Sequence, residues 1–210
     1  MRNYILLPIF TIFLFSSFKM PEFLTFSDIN YDELLKEANA CKDLDTEKEK
    51  LDCYKKIENS NSFAQIRLGT YYSTKNDYKE SLKYLNMADE NKNLYAKLPL
   101  ALLYYKGEGV KKDINKSFEL LKESSDIDPI AAFQLSRFYL QGINTKIDNE
   151  KGIDLLEFSA QNGVLQAQEL LSNVYKQGLY GVAKDQIKYE YWLKKASSNK
   201  EDKNSNIYIF

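Results

Sequence analysis

Histidine is absent from all 210 residues, and cysteine occurs only twice. Without an imidazole there is no Ser-His-Asp or Cys-His nucleophile, no histidine general base and no Cys/His zinc finger. Two thiols cannot hold an iron–sulfur cluster. Charge imbalance is missing too: 29 Lys+Arg against 30 Asp+Glu leave a net charge of −1, which excludes the basic footprint of a nucleic-acid binder. What is present is apolar. A content of 44% hydrophobic and 14% aromatic residues suffices for a core and places the chain outside the disordered class. No catalytic residue, metal site or cofactor is expected from this composition, and no nucleic-acid partner.

The first residues read as an address. Met1-Arg2-Asn3 is a short basic start, and Tyr4 to Phe18 is an uncharged apolar run. As a helix it would measure about 22 Å, short of a hydrocarbon core of about 30 Å. Residues 1–20 therefore read as a signal peptide that directs export. No Ala-x-Ala cleavage site is present; Leu14-Phe15-Ser16, Phe15-Ser16-Ser17 and Thr25-Phe26-Ser27 are the tolerable substitutes. The alternative is an uncleaved signal anchor, with Arg2 inside and Lys19 outside, which would be the chain's one link to a membrane. No cysteine follows at lipobox distance, so no lipoprotein is expected. Residues 21–30 form a linker.

The body repeats itself. Leu68, Leu100, Leu135 and Leu171 recur at spacings of 32, 35 and 36 residues, each preceded by an alanine (Ala64, Ala96, Ala131, Ala167) and followed by a tyrosine (Tyr72, Tyr104, Tyr139, Tyr175). A period of this size indicates stacked helical hairpins. Ala, Leu and Tyr at relative positions 1, 5 and 9 share one stripe of a helix. The small residue at position 6 (Gly69, Ala101, Ser136, Ser172) admits a close neighbour. Gly107, Gly142 and Gly178 stand where the first helix must stop, and glycine accepts the left-handed cap. Asp113, Asp148 and Asp185 then open the second helix as N-caps. The second helices carry Phe118-Leu121, Leu155-Phe158 and Tyr189-Trp192-Leu193 to close each hairpin.

With these residues in view, the chain resembles the Sel-1-like repeat proteins, a branch of the tetratricopeptide-type α-solenoids. The family pattern is Ala-x-x-x-Leu-Gly-x-x-Tyr-x-x-Gly-x-Gly-Val-x-x-Asp-x-x-Lys-Ala. The second repeat follows it almost completely, through Gly107, Gly109, Val110, Asp113 and Lys116. The third keeps Gly142 and Asp148 but loses the second glycine and the valine. The fourth has one extra residue before Asp185, and the first lacks the glycine loop, with Ser73 to Asp77 four residues shorter. The resemblance implies an all-α fold: a right-handed α-solenoid of stacked antiparallel hairpins, with four repeats over residues 61–199 and a tail over 200–210. It implies a non-catalytic scaffold for protein partners in the periplasm of the cell envelope, in a machine such as a flagellar motor, a pilus or a secretion system. Two other roles occur in the family's reach, a cell-wall-associated enzyme or a β-lactam- or peptidoglycan-binding protein, and a secreted factor acting on host or competitor cells.

Ahead of the repeats, residues 31–60 read as one more hairpin, with Thr46 and Glu49 as the capping box of its second helix. Cys41 and Cys53 flank its turn. In an exported chain an even cysteine count favours a disulfide between them. The geometry raises one difficulty. If the first helix ran through Lys42 and the second began at Glu47, the two cysteines would lie about 7 Å apart in depth. The bridge then requires Cys41 in a loop that folds back.

Other features are structural on this reading. The Gly107-x-Gly109 loop lacks the strand that a phosphate cradle needs. The aspartates recur a repeat apart and cannot converge on one atom, so they cap. On the first helices, relative positions 3, 7 and 10 lie opposite the Ala-Leu-Tyr stripe: Ile66/Thr70/Ser73, Leu98/Leu102/Tyr105, Phe133/Arg137/Leu140 and Glu169/Asn173/Lys176. Solenoids bind on such a concave wall. Leu98, Leu102, Tyr105, Phe133, Arg137, Leu140 and Asn173 are therefore the candidate binding face. The apolar members are either a docking patch or inter-repeat core assigned to the wrong side. Pro99 is expected to kink its helix or delay its start. Ile207 to Phe210 either dock into a groove or partner, or tuck against the last hairpin as a cap; the need of stacked arrays for caps favours the second.

Overall fold

A computed structural model of the chain describes residues 30–199 and 207–210, and those from Asp32 onward belong to one compact unit. The expected export segment, residues 1–20, and nearly all of the expected linker lie outside the described residues.

Every described helix is short, and helices pair in chain order. Helices α1 (Tyr31–Lys42) and α2 (Glu47–Ile57) precede the repeats. The repeats are α3 (Ser62–Thr74) with α4 (Tyr78–Glu90), α5 (Lys97–Lys106) with α6 (Ile114–Ser124), α7 (Pro129–Gln141) with α8 (Asn149–Gln161), and α9 (Leu165–Gln177) with α10 (Gln186–Ser198). The closest packing is within each of these four pairs, and each pair also touches the next. This is the stack of hairpins that the period predicts. No described helix is long and apolar enough to cross a membrane.

The repeat signature folds as its chemistry requires. Ala64, Leu68, Ala96, Leu100, Ala131, Leu135, Ala167 and Leu171 are all buried. Gly107, Gly142 and Gly178 end α5, α7 and α9 with positive φ, as C-caps. The carboxylates of Asp113, Asp148 and Asp185 accept the amides of Lys116, Lys151 and Lys188 at 2.9, 3.0 and 2.9 Å. A second link recurs that spacing alone does not reveal. The amide of each capping aspartate donates to the carbonyl of the tyrosine ending the previous stripe: Asp113 to Tyr104 at 2.9 Å, Asp148 to Tyr139 at 3.0 Å and Asp185 to Tyr175 at 3.0 Å. Asp77 does the same to Tyr72 at 2.9 Å across the shorter first loop. The loop length varies, yet the Tyr–Asp closure is kept, so each hairpin is pinned at the same point.

One local alternative is decided and two expectations are corrected. Pro99 goes with a delayed start of α5 and not with a kink. A single 3₁₀ turn, Leu94–Ala96, comes first, and α5 starts at Lys97 with Pro99 in its first turn, where an absent amide leaves no helical bond unmade. In α8 the fully buried core leucine is Leu156, not Leu155; in α10 Trp192 is buried while Leu193 is half-exposed. Among the described residues no further repeat packs on α9–α10, and Ile187 and Tyr191 are exposed as well.

Cys41 and Cys53 are joined, with Cα atoms 5.5 Å apart. The expected fold-back is overturned: Cys41 lies inside α1, and α2 does begin at Glu47. The depth estimate assumed side-by-side axes. Instead α1 and α2 have little backbone contact along their lengths and meet at the cross-link.

Candidate functional site

The candidate wall is not empty. Residues 207–210 lie against α3 and the start of α7, and not on the last hairpin as a cap.

Arg67 begins the site. It occupies relative position 4 of the first repeat, where the other repeats carry Pro99, Gln134 and Leu170. Its side chain is fully buried, and its surroundings are polar by construction. One guanidinium nitrogen donates to Asn39 Oδ1 at 2.6 Å, another to the Tyr54 hydroxyl at 3.3 Å, and the group lies over the Tyr54 ring at 5.9 Å. Nε donates to the carbonyl of Ile207 at 3.3 Å. One turn further along α3, the Thr70 hydroxyl donates to the carbonyl of Tyr208 at 2.8 Å. Two consecutive peptide carbonyls are thus held by two side chains of one helix, which satisfies backbone groups that no strand partner serves.

The side chains of the segment go to separate receptors. Tyr208 packs against the core of α4 to α7 and donates its hydroxyl to Asp128 Oδ2. Asp128 is fully buried; its Oδ1 accepts the amide of Ile130 at 2.9 Å as the N-cap of α7. Burial of the phenol first, then the charge of Asp128, hold Tyr208 well above the ordinary tyrosine pKa. It stays a neutral donor at physiological pH. Phe210 stacks on Tyr71 at 4.2 Å and lies 5.1 Å from Tyr54. Tyr71 in turn donates to Glu47 at 2.8 Å, which ties this clamp to the start of α2. Ile209 stays half-exposed.

The N-terminal hairpin therefore helps to build the site. Asn39 stands two residues before Cys41 and Tyr54 one residue after Cys53, so the disulfide holds in place the two groups that orient Arg67.

Beyond the segment the wall stays open. A cleft of about 290 Å³ is lined by Thr70, Leu98, Pro99, Leu102, Ile130 and the segment's own Tyr208 and Ile209. A second, of about 250 Å³, continues past Leu102 to Tyr105, Arg137 and Phe138. The candidate binding face thus divides. Leu102 and Arg137 are exposed and Tyr105 is half-buried, and these three line the open cleft. Phe133 is half-buried against the core of the last two hairpins, and Asn173 is half-buried and accepts from Gln177 at 2.6 Å. Leu98 is packed in the central core and shows only an edge to the first cleft; Leu140 is a correction, buried against Gly152 of α8. Gly152 has no side chain to keep the helices apart, so Leu140 faces the hairpin partner rather than the groove.

Sequence reasoning missed Arg67, Asp128, Tyr54 and Tyr71. Arg67 carried a signal, a charge at a helix position that is uncharged in the other three repeats. Asp128 resembled any N-cap, and only the fold brings Tyr208 to it. Among the described residues no cluster of three metal-ligating side chains occurs.

A family model of the Sel1 repeat matches residues 62–90, 96–127, 129–164 and 165–200. These matches take in more than half of the chain, which belongs to the Sel1 repeat family. Over 102 residues it is 29% identical to the alginate biosynthesis protein AlgK of Pseudomonas syringae pv. tomato, covering 49% of this chain and 22% of that protein. The chain thus spans about a fifth of the length of this curated relative. Among solved structures, the Sel1 repeat protein from Oxalobacter formigenes is similar with a TM-score of 0.68 and 24% identity, over 80% of this chain and 71% of that one. The structure of c5321, a protective antigen present in uropathogenic Escherichia coli strains, is similar with a TM-score of 0.62 and 24% identity, over 81% of this chain and 39% of that one. Both likenesses are likenesses of fold.

Proposed function

We propose that this Sel1 repeat protein is an exported, non-catalytic scaffold that binds a protein partner of the cell envelope along the wall formed by α3, α5 and α7. The observation that carries this reading is the wall itself. It holds a short peptide segment by its carbonyls and leaves apolar clefts open beside Leu102, which is what a peptide- or protein-binding surface provides. The export signal read from residues 1–20 and the disulfide both support an oxidising compartment outside the cytoplasm. The relative named for alginate biosynthesis supports a setting at the cell envelope.

A photo-crosslinking residue at the position of Leu102 tests the reading in intact cells, with the exposed position of Lys48 on α2 as control. The expected result is one envelope protein captured reproducibly from position 102 and not from position 48. Equal capture at both positions, or turnover of a cell-wall fragment by the pure protein, overturns the scaffold. For export, the protein fused to alkaline phosphatase is expected to give periplasmic activity; an inactive fusion overturns the location.

A further inference from the structure

The segment 207–210 occupies the wall in a manner unlike a packed core element. Its backbone is held by side chains, Arg67 to the Ile207 carbonyl and Thr70 to the Tyr208 carbonyl. Its aromatic side chains enter receptors of matching chemistry. The Tyr208 phenol meets the buried carboxylate of Asp128, and the Phe210 ring fits between Tyr54 and Tyr71. The segment turns at Ile207 and Tyr208, and carbonyls read by polar side chains, with aromatic anchors in pockets, are the marks of peptide recognition. The buried Arg67 is telling. A guanidinium taken out of water is costly unless its donors are satisfied, and the Ile207 carbonyl is one of the acceptors that satisfy it. These four residues do not fill the groove: clefts lined by described residues lie beside Tyr208, Ile209 and Leu102.

We infer that this groove is a recognition site for a partner peptide with a tyrosine between two aliphatic residues and an aromatic residue two positions after it, and that residues 207–210 are its intramolecular ligand, displaced when the partner binds. This rests on the scaffold reading above and names the chemistry of its partner. The partner's tyrosine replaces Tyr208 at Asp128, its aromatic ring replaces Phe210 between Tyr54 and Tyr71, and its flanking residues fill the clefts that the chain's own segment leaves open. The gain from those clefts is what allows a partner to win against a segment held at high effective concentration by covalent attachment.

The test uses the full chain and a fluorescent peptide of residues 204–210. In the wild-type protein the segment competes, so the peptide is expected to bind about tenfold or more weakly than it binds a full-length variant carrying Tyr208→Ala and Phe210→Ala. Adding Asp128→Asn to that variant is expected to weaken the peptide again, as is replacing the peptide's tyrosine by phenylalanine. Circular dichroism verifies that each variant is folded; if the double variant is not, Phe210→Ala alone opens the ring clamp and serves in its place. A folded, opened variant that binds the peptide no more tightly than wild type overturns the inference. So does binding that is indifferent to Asp128→Asn and to the tyrosine, or a wild-type chain that dimerises through exchange of the segment between copies. Capture from position 102 in cells combined with such failure would keep the scaffold and discard the self-ligand.

Discussion

Tyr208 donates its hydroxyl to Asp128, 80 residues earlier in the chain, and so joins the C-terminal segment to the N-cap of α7. The acceptor is buried and already holds Ile130 with its other oxygen. Tyr208→Phe removes a donor from a buried carboxylate and is expected to cost about 1–3 kcal/mol. Urea denaturation measures it. A loss below about 0.5 kcal/mol, the size of an ordinary surface substitution, would mean that the segment adds nothing to the fold.

Tyr208 is raised by burial and then by Asp128; Tyr84 is raised by burial and then by its 2.9 Å bond to Glu58; Tyr175 is raised by burial and then by its bond to Glu157. Each folded-state pKa therefore exceeds the unfolded value of about 10. The stability these phenols contribute is complete below that value and is lost as pH rises through the folded ones. Stability is expected to show no tyrosine-linked decline below about pH 10 and to fall above it. An absorbance titration should show some tyrosines ionising late; a single transition at the free-tyrosine value would contradict this.

Gly69→Ala places a methyl 2.5 Å from Cγ of Leu85. Leu85 is fully buried and has no room to retreat, so overpacking of about 1–3 kcal/mol is expected. The measurement is the thermal midpoint, which should drop; an unchanged midpoint would show that α3 and α4 have slack between them.

Reduction of the Cys41–Cys53 bridge, closed over a separation of 12 residues, is expected to cost about 3 kcal/mol by the chain-entropy argument. The bridge also positions Asn39 and Tyr54 around Arg67, so reduction should loosen the segment site beyond the global loss. Hydrogen exchange at residues 207–210 reads this directly: protection there should fall more than in α7 to α10. Equal loss everywhere would make the bridge a staple only.

Replacing Asp148 by Ala removes the acceptor for the Lys151 amide and should destabilise by about 1 kcal/mol, typical of an N-cap. Asp148→Asn keeps a capping oxygen and should recover most of it. Because the Asp148 amide still closes on Tyr139, the hairpin should survive both changes with its helix content intact by circular dichroism.

The repeat architecture was legible because it is written locally. A stripe every three or four residues, a glycine at each helix end and an aspartate at each helix start act within one or two turns, where sequence neighbours are space neighbours. The candidate face was only half legible. Leu102 and Arg137 sit at solvent-facing positions as the helical wheel implies, whereas Leu140 is buried and Leu98 shows only an edge to the cleft, because burial is set by what the next helix brings near.

The amino-acid order alone thus determined the family, the period, the caps and the cysteine pair, since all of these depend on contacts between residues close in the chain. Only the tertiary structure decided where residues 207–210 lie and what they complete. Arg67 and Ile207 are 140 positions apart and Tyr208 and Asp128 are 80 apart, and no periodicity links them. Their meeting depends on how the hairpins stack, and that summed geometry brings the last residues of the chain against its first repeat.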